Sequence, residues 1–516
     1  MENKIIIDPL TRIEGHLRFE TTVEDGIVTK ARCTADMFRG IEKALIGYDA
    51  RVAQQVTQRV CGVCPYAHAE AAALALENAM GIKPNANGQL LRNLIVGAYR
   101  LQDYILHFYT LSALDFIDIT AIANYQGKDA ALGGLKQWVL HELSSGKVFP
   151  ATPFLPRYKA AYATNAELNI SAIKHYLEAI PIMAKLHKMV AIFGGKSPHP
   201  VAIEAGGVTT RPSVEKMMKY HSYLQEAKTF IYNAYIPDLK AVASEFKEYF
   251  HIGKGTANFL SYDFLPDANG VNHLFSGGST ISSLFEALST KDILEYQKYS
   301  YYKDVSTKGY RPLETNALDP IDWATFEKEH AKSDGKYSWS RAPRYRDAVM
   351  EVGPTAQIVN TYKSGKNPKL NKLVDKINAE LGITLEHYPS VMGRHLCRGL
   401  VAILVIDKLE ADLAQVVPDQ LGFVEAEVPK NAQGMGLTEA SRGALGHWIE
   451  TDDKGLIKNY EMIVPTTWNI SPKDGADRNG AVEAMLIGTH IKDAKNPIEL
   501  ARIVRSTDPC IACSVH

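Results

Sequence analysis

Four of the chain's six cysteines stand in two Cys-x-x-Cys pairs at its opposite ends, Cys61-Gly62-Val63-Cys64 and Cys510-Ile511-Ala512-Cys513. That spacing lets two sulfurs converge on one ion from a turn or from the first turn of a helix, and four thiolates together make a closed soft-ligand site. If both pairs serve one ion, the fold has to bring its two extremities into contact. The residues alone leave several readings open: a structural zinc staple, an iron-sulfur site, or two independent redox or incidental pairs.

A length of 516 residues exceeds the usual single domain, so the chain can bury one very large core or two joined ones. A net charge of −1 gives no support to a nucleic-acid or anionic-membrane partner. No stretch approaches about 18 consecutive apolar residues, and Met1 to Asp8 lacks the apolar run of a secretory signal. The chain is therefore expected neither to span a membrane nor to export itself. Cys33 and Cys397 lie outside the pairs and read as small buried hydrophobes.

Residues 16 to 32 alternate apolar and polar, with Leu17, Phe19, Thr21 and Val23 on one parity and Asp25-Gly26 as the turn, so a β-hairpin is expected. Asp36 to Gln58 carries apolar residues at looser, helix-like intervals. Pro65 follows Cys64, and the Ala-rich run Tyr66 to Met80 stops at Gly81, which sets Cys64 at the mouth of a helix. The positive dipole end there favours thiolate over thiol. His68, one turn on, is placed to donate to that sulfur, or on the plainer reading faces water from the helix surface.

From Gln89 to Ile119 apolar residues recur at threes and fours, predicting a long helix that includes Asp103. Further helices are expected at about 169–193, bent near Pro181, at 214–250, at Asn367 to Leu381, and at Ser390 to Val416. Residues 251–345 read as irregular connections with short strands. A second hairpin is expected over 447–465, turning at Asp452 to Gly455, and a final helix over Pro497 to Arg505 leads to Asp508-Pro509-Cys510. The fold class is thus α+β and predominantly helical, a single large domain over 1–516. Its long-helix bundle (about 36–250 and 367–418) is flanked by an N-terminal hairpin (1–35) and by a C-terminal hairpin with a metal-binding tail (430–516).

The segments Arg12-Ile13-Glu14-Gly15-His16, Phe38-Arg39-Gly40-Ile41-Glu42, Arg59 to Cys64 with His68 following, Ser441-Arg442-Gly443-Ala444-Leu445, Pro465-Thr466-Thr467-Trp468-Asn469 and Asp508 to His516 occur in this order from end to end. In them the chain resembles the large, catalytic subunit of the nickel-iron hydrogenases, uptake-type and near the nickel-iron-selenium relatives. The resemblance spans nearly the whole sequence. It implies reversible heterolytic cleavage of dihydrogen to two protons and two electrons. It also implies a nickel ion held by Cys61 and Cys510 as terminal ligands and by Cys64 and Cys513 as bridges to an iron carrying carbon monoxide and cyanide.

Such cleavage demands a Lewis-acidic metal and a nearby base. The Cys510 thiolate, with Glu14 as the next proton acceptor, is one candidate implied by the resemblance, and Arg442 is the other. A guanidinium with a pKa above about 12 is a poor base in water, so proton removal is expected to fall to Cys510 and Glu14. Arg442 would position charge, oriented by Asp103 and Asp508. Read without the resemblance, Glu14 is a surface ion pair with Arg12 or Arg18, and Arg442 a structural ion pair. Thr466 and the backbone around Pro465 look like donors to cyanide, and His68 a donor to the Cys64 thiolate. Glu42, the Met462 carbonyl and the His516 side chain resemble the ligands of a mostly water-coordinated Mg2+, or another divalent ion.

No cysteine is left for an iron-sulfur cluster, so the electrons require an obligate iron-sulfur small subunit and, beyond it, an acceptor such as a cytochrome. That partner is expected to carry the export signal, placing the pair in the periplasm or on the periplasmic face of the membrane. Family members are cut after the histidine of a Cys-x-x-His ending, so a chain stopping at His516 is expected to be the product of a maturation endopeptidase. Ser441 stands where a proline often precedes the arginine, Pro65-Tyr66-Ala67 replaces a more polar stretch, and Thr110 and Ser112 take places where histidines are frequent; these bear on the subgroup. Position 510 reads cysteine where a related subgroup has selenocysteine. A dihydrogen sensor and a cytoplasmic nicotinamide- or flavin-linked hydrogenase are the alternative functions.

Overall fold

The computed structural model describes residues 3–145 and 162–516, apart from positions 305, 307, 316–318 and 333. At its N-terminus Leu17–Glu24 and Ile27–Ala35 form the expected hairpin. Leu17, Phe19, Thr21 and Val23 face inward, and Asp25 and Gly26 take the positive φ (50° and 79°) that a two-residue turn demands. Asn3–Ile7 adds a third antiparallel strand, with Ile5 opposite Thr21.

The helix after the first cysteine pair runs over Pro65–Met80, with proline in its first turn and Gly81 (φ 68°) closing it in the left-handed conformation. Its alanine face lies on the strand Gln433–Ala440 at very short range. A Cβ on Gly434 or Gly436 would meet the carbonyls of Ala75 and Ala71 at 2.1 and 2.0 Å, so only glycine permits this approach. That strand is the first of a three-stranded meander with Gly443–Thr451 and Ile457–Ile463, whose last two strands are the expected second hairpin, His447 opposite Met462.

The helical core packs Ala86–Ile105 against Ala166–Gly194 and Val391–Leu413, and Val214–Phe230 against Ala166–Gly194. Two expected helices are interrupted. The one predicted to reach Ile119 is α-helical to Ile105 and continues as a π-type stretch, Leu106–Ser112, whose wider turn carries His107 onto the Arg505 carbonyl at 2.8 Å. The one predicted over 214–250 opens into a π-type stretch at Ile231–Tyr235 before Ile236–Glu245, because Pro237 has no N–H for the turn behind it and its ring crowds that turn's carbonyl. Ala166–Gly194, in contrast, runs through Pro181.

Pro368–Leu381 and Val391–Leu413 form as expected, capped by the side chains of Asn367 and Ser390. Residues 251–345 contain short strands, of which Ile293–Tyr296 pairs with Ala342–Tyr345. The final helix, Ile498–Ser506, delivers the chain to Cys510 and a last short helix, Ile511–Ser514. Among the described residues no helix is long and apolar enough to cross a membrane.

Candidate metal centre

Each cysteine pair abuts a helix start: Cys64 precedes Pro65–Met80, and Cys510 precedes Ile511–Ser514. The N-terminal loop joins them. Glu14 forms a parallel bridge with Cys510, its carbonyl accepting the Ile511 N–H at 3.0 Å and its own N–H donating to the Pro509 carbonyl at 3.3 Å. Gly15 (φ 80°) makes this possible, since a Cβ there would stand 2.8 Å from the Ile511 Cβ.

The outcome is four buried sulfurs within 4.8 Å of one another. Cys61 and Cys510 approach to 3.2 Å, Cys64 and Cys513 to 3.2 Å, and Cys510 and Cys513 to 2.8 Å. Hydrogen bonds from its three neighbours hold the Cys61 thiol far below the ordinary range, while burial pushes Cys510 and Cys513 far above it. A soft cation removes that conflict by taking all four as thiolates.

Glu14 Oε2 accepts the Cys510 S–H at 3.2 Å and the Ala512 N–H at 2.9 Å. Burial raises its pKa, the property of a carboxyl that both takes and releases protons. Arg442 Nη2 donates to Asp508 Oδ1 at 3.1 Å, and Asp103 Oδ2 lies 3.9 Å from Nη1. Burial opposes the charge of Arg442, but Asp508, Cys510 and Asp103 keep it protonated. Burial also pushes Asp103 up to about 8 against the pull of Arg442. Two departures from the family pattern meet here: the Ser441 hydroxyl donates to Asp103 Oδ2 at 2.6 Å and lies 2.6 Å from the Tyr66 hydroxyl.

Thr466 Oγ1 accepts the Cys510 N–H at 3.1 Å, which leaves its own hydrogen to donate, and Pro465 opens the short helix Pro465–Asn469 beside the tail. Among the described residues Arg442 Nε and Nη1 and Thr467 Oγ1 are buried without a hydrogen-bond partner. Four convergent buried sulfurs fit a soft-metal centre such as one holding nickel.

His68 is arranged differently from expectation. It is buried, not on a helix surface, and its Nδ1 pairs with His447 Nε2 at 3.1 Å, not with the Cys64 sulfur; His447 Nδ1 in turn meets the Tyr460 hydroxyl at 2.7 Å. Burial lowers the His68 pKa to about 3 and that of His447 well below the ordinary value, so both rings are neutral.

Glu42, the Met462 carbonyl and His516 do converge, but on the Arg341 guanidinium. Despite burial, the Arg341 guanidinium above all holds Glu42 down to about 2. A divalent ion does not fit among these donors while the guanidinium is there.

Sequence reasoning passed over two clamps. Arg39 donates to the carbonyls of Arg59 (2.7 Å), Val60 and Ala512 (3.4 Å), and so spans both cysteine motifs. Arg505 binds Asp115 at 2.8 and 3.0 Å and the Thr11 carbonyl at 3.0 Å, while Arg12 pairs with the same Asp115, which ties the N-terminal loop to the last helix. Arg39 and Arg12 each lie inside a segment that carries the family resemblance, which was the available signal; Asp115 and Arg505 had none.

A family model described as nickel-dependent hydrogenase matches residues 39–516, and one described as HoxL-like matches residues 4–34. The periplasmic [NiFeSe] hydrogenase large subunit of Desulfomicrobium baculatum is 35% identical over 99% of this chain and 95% of its own length. The hydrogenase-2 large chain of Escherichia coli K12 is 33% identical over 100% and 97%. The Ni-Fe-Se hydrogenase of D. vulgaris Hildenborough in its reduced state superposes with a TM-score of 0.86 at 36% identity, covering 100% of both chains.

Proposed function

Since the chain belongs to the nickel-dependent hydrogenases, as the catalytic large subunit of an enzyme that pairs with a small subunit, we propose a specific division of labour among its buried groups. Cys61, Cys64, Cys510 and Cys513 would hold the metals, Cys61 and Cys510 as terminal ligands of nickel and Cys64 and Cys513 as its links to iron. When bound, such a centre supplies a Lewis-acidic position that polarises dihydrogen and accepts its electrons.

The protein supplies the rest. The Cys510 sulfur takes the proton, and Glu14 Oε2, at 3.2 Å, receives it next. The raised pKa of Glu14 suits it to hold that proton briefly and pass it outward, while the Ala512 N–H fixes the accepting oxygen. Arg442 keeps its charge and contributes a fixed positive field; Asp508 orients it, and Asp103, itself bound by Ser441, sets its second side. The unpartnered N–H groups of Arg442 and the hydroxyl of Thr466, beside Pro465, would serve as donors to cyanide on the iron. Electrons leave through an iron-sulfur small subunit to an acceptor such as a cytochrome, and the assembly works in the periplasm or on its membrane face.

The observation that carries this reading is the contact between Cys510 Sγ and Glu14 Oε2, made by residues from opposite ends of the chain. Metal analysis of the purified heterodimer, with infrared spectra, tests it: one nickel per large subunit with cyanide and carbonyl bands is expected, and zinc without those bands would reject it.

A further inference from the structure

Three electron-pair donors near the tail, Glu42 Oε1, the Met462 carbonyl and His516 Nε2, point at one atom, Nη2 of Arg341, at 3.1, 2.7 and 2.6 Å. The tautomer of His516 follows from its other nitrogen. Nδ1 lies 2.6 Å from the Cys513 carbonyl, which only an N–H can satisfy, so Nε2 presents its lone pair to the guanidinium. Glu42 and His516 approach each other to 3.3 Å, a contact between two electron-rich atoms that a positive charge has to bridge.

The other arm of the fork is held as firmly. Nη1 lies 3.2 Å from Glu295 and 3.3 Å from Glu461. The backbone beyond Arg341 is fixed in the ladder between Ala342–Tyr345 and Ile293–Tyr296, which sets Glu295 opposite Pro343. Only 3% of Arg341 is exposed. To swing away, the side chain would break two further carboxylate contacts and leave all of them buried without a cation.

Magnesium requires its donors at about 2.0–2.1 Å in near-octahedral geometry. An ion at that range from Glu42, Met462 and His516 would stand where Nη2 stands, so guanidinium and ion exclude each other. A guanidinium is permanently charged and carries two N–H donors on each of its Nη atoms, so at Nη2 two of the three acceptors take a hydrogen and the third is held by the charge. We infer that Arg341 is the built-in cation of this site, standing where a divalent ion would otherwise tie His516 to Glu42 and the strand Ile457–Ile463. The tail that begins at Cys510 is then anchored by the chain itself and not by a chelatable metal.

The test uses the assembled heterodimer, freed of loose ions by gel filtration into metal-free buffer and not yet exposed to chelator. Nickel counted in the same digest identifies the holoenzyme, independently of the outcome at this site. Magnesium, calcium and manganese are expected well below one per large subunit, with the same melting temperature whether chelator or millimolar Mg2+ is present. About one such ion per chain, retained through gel filtration and lost to chelator with a fall in melting temperature, would overturn the inference. In Arg341→Gln the donors lose their cation, so millimolar Mg2+ should raise its melting temperature by several degrees. A folded Arg341→Gln variant indifferent to Mg2+ and Mn2+ would also overturn it; if that variant does not fold, the wild-type metal content decides alone.

Discussion

Replacing Glu14 by glutamine separates proton transfer from architecture. In the wild type one oxygen, Oε2, accepts both the Cys510 S–H at 3.2 Å and the Ala512 N–H at 2.9 Å. A glutamine carbonyl oxygen can take the Ala512 bond in the same place, so the tail stays seated and the cost to stability is about 1 kcal/mol or less, the difference between a charge-assisted and a neutral hydrogen bond. What the amide cannot do is carry a proton. A positioned acid or base contributes about 10²–10⁴-fold, or roughly 3–5 kcal/mol of barrier. Exchange between D2 and water, followed by mass spectrometry, should therefore fall at least about 10²-fold in Glu14→Gln, with nickel content, melting temperature and the infrared bands of the centre unchanged. Exchange within a few-fold of wild type in a metal-loaded variant would refute the assignment of Glu14 as the proton exit.

Arg39→Ala removes the link between the carbonyls of Arg59, Val60 and Ala512, and should cost roughly 2–4 kcal/mol and lower the nickel retained after purification, read by unfolding and metal counts. Arg442→Lys keeps the charge but not the planar fork held by Asp508, so dihydrogen oxidation with a dye acceptor should drop about 10²-fold while metals remain. Glu439, whose Oε1 accepts the Tyr262 N–H at 2.6 Å, is a carboxyl that burial pushes from 4.5 to about 8, ahead of the opposing pull of Arg100. The folded chain keeps a proton there that the unfolded chain releases, so between these values stability falls as pH rises, by at most about 1.4 kcal/mol per pH unit. Glu439→Gln should flatten that slope in denaturant titrations at pH 5 to 8; an unchanged slope would remove Glu439 from the account.

What local chemistry dictates was readable. The hairpin at 17–35 follows from alternation and an Asp-Gly turn, and the Pro65–Met80 helix from its proline start and glycine stop. The strand Gln433–Ala440 was not, because Gly434 and Gly436 look like loop punctuation; they are there for the close approach of the alanine helix, which only the packed fold reveals. Apolar spacing continues through the π-type stretch at Leu106–Ser112, so periodicity carried the expected helix past the point where the backbone widens. Of the site, Glu14, Arg442, Asp508 and the cysteines do come together. The partners of His68 and of the Glu42 cluster are His447 and Arg341, hundreds of residues away, with no spacing pattern to announce them.

Beneath every assignment lies the meeting of the two cysteine pairs around one bimetallic site. Diffraction from the heterodimer at the nickel absorption edge tests it most directly. A single nickel peak bonded to the sulfurs of Cys61, Cys64, Cys510 and Cys513, with an iron bridged through Cys64 and Cys513, is the expected result. Zinc in that position, or nickel held by one pair while the other stands apart, would contradict it.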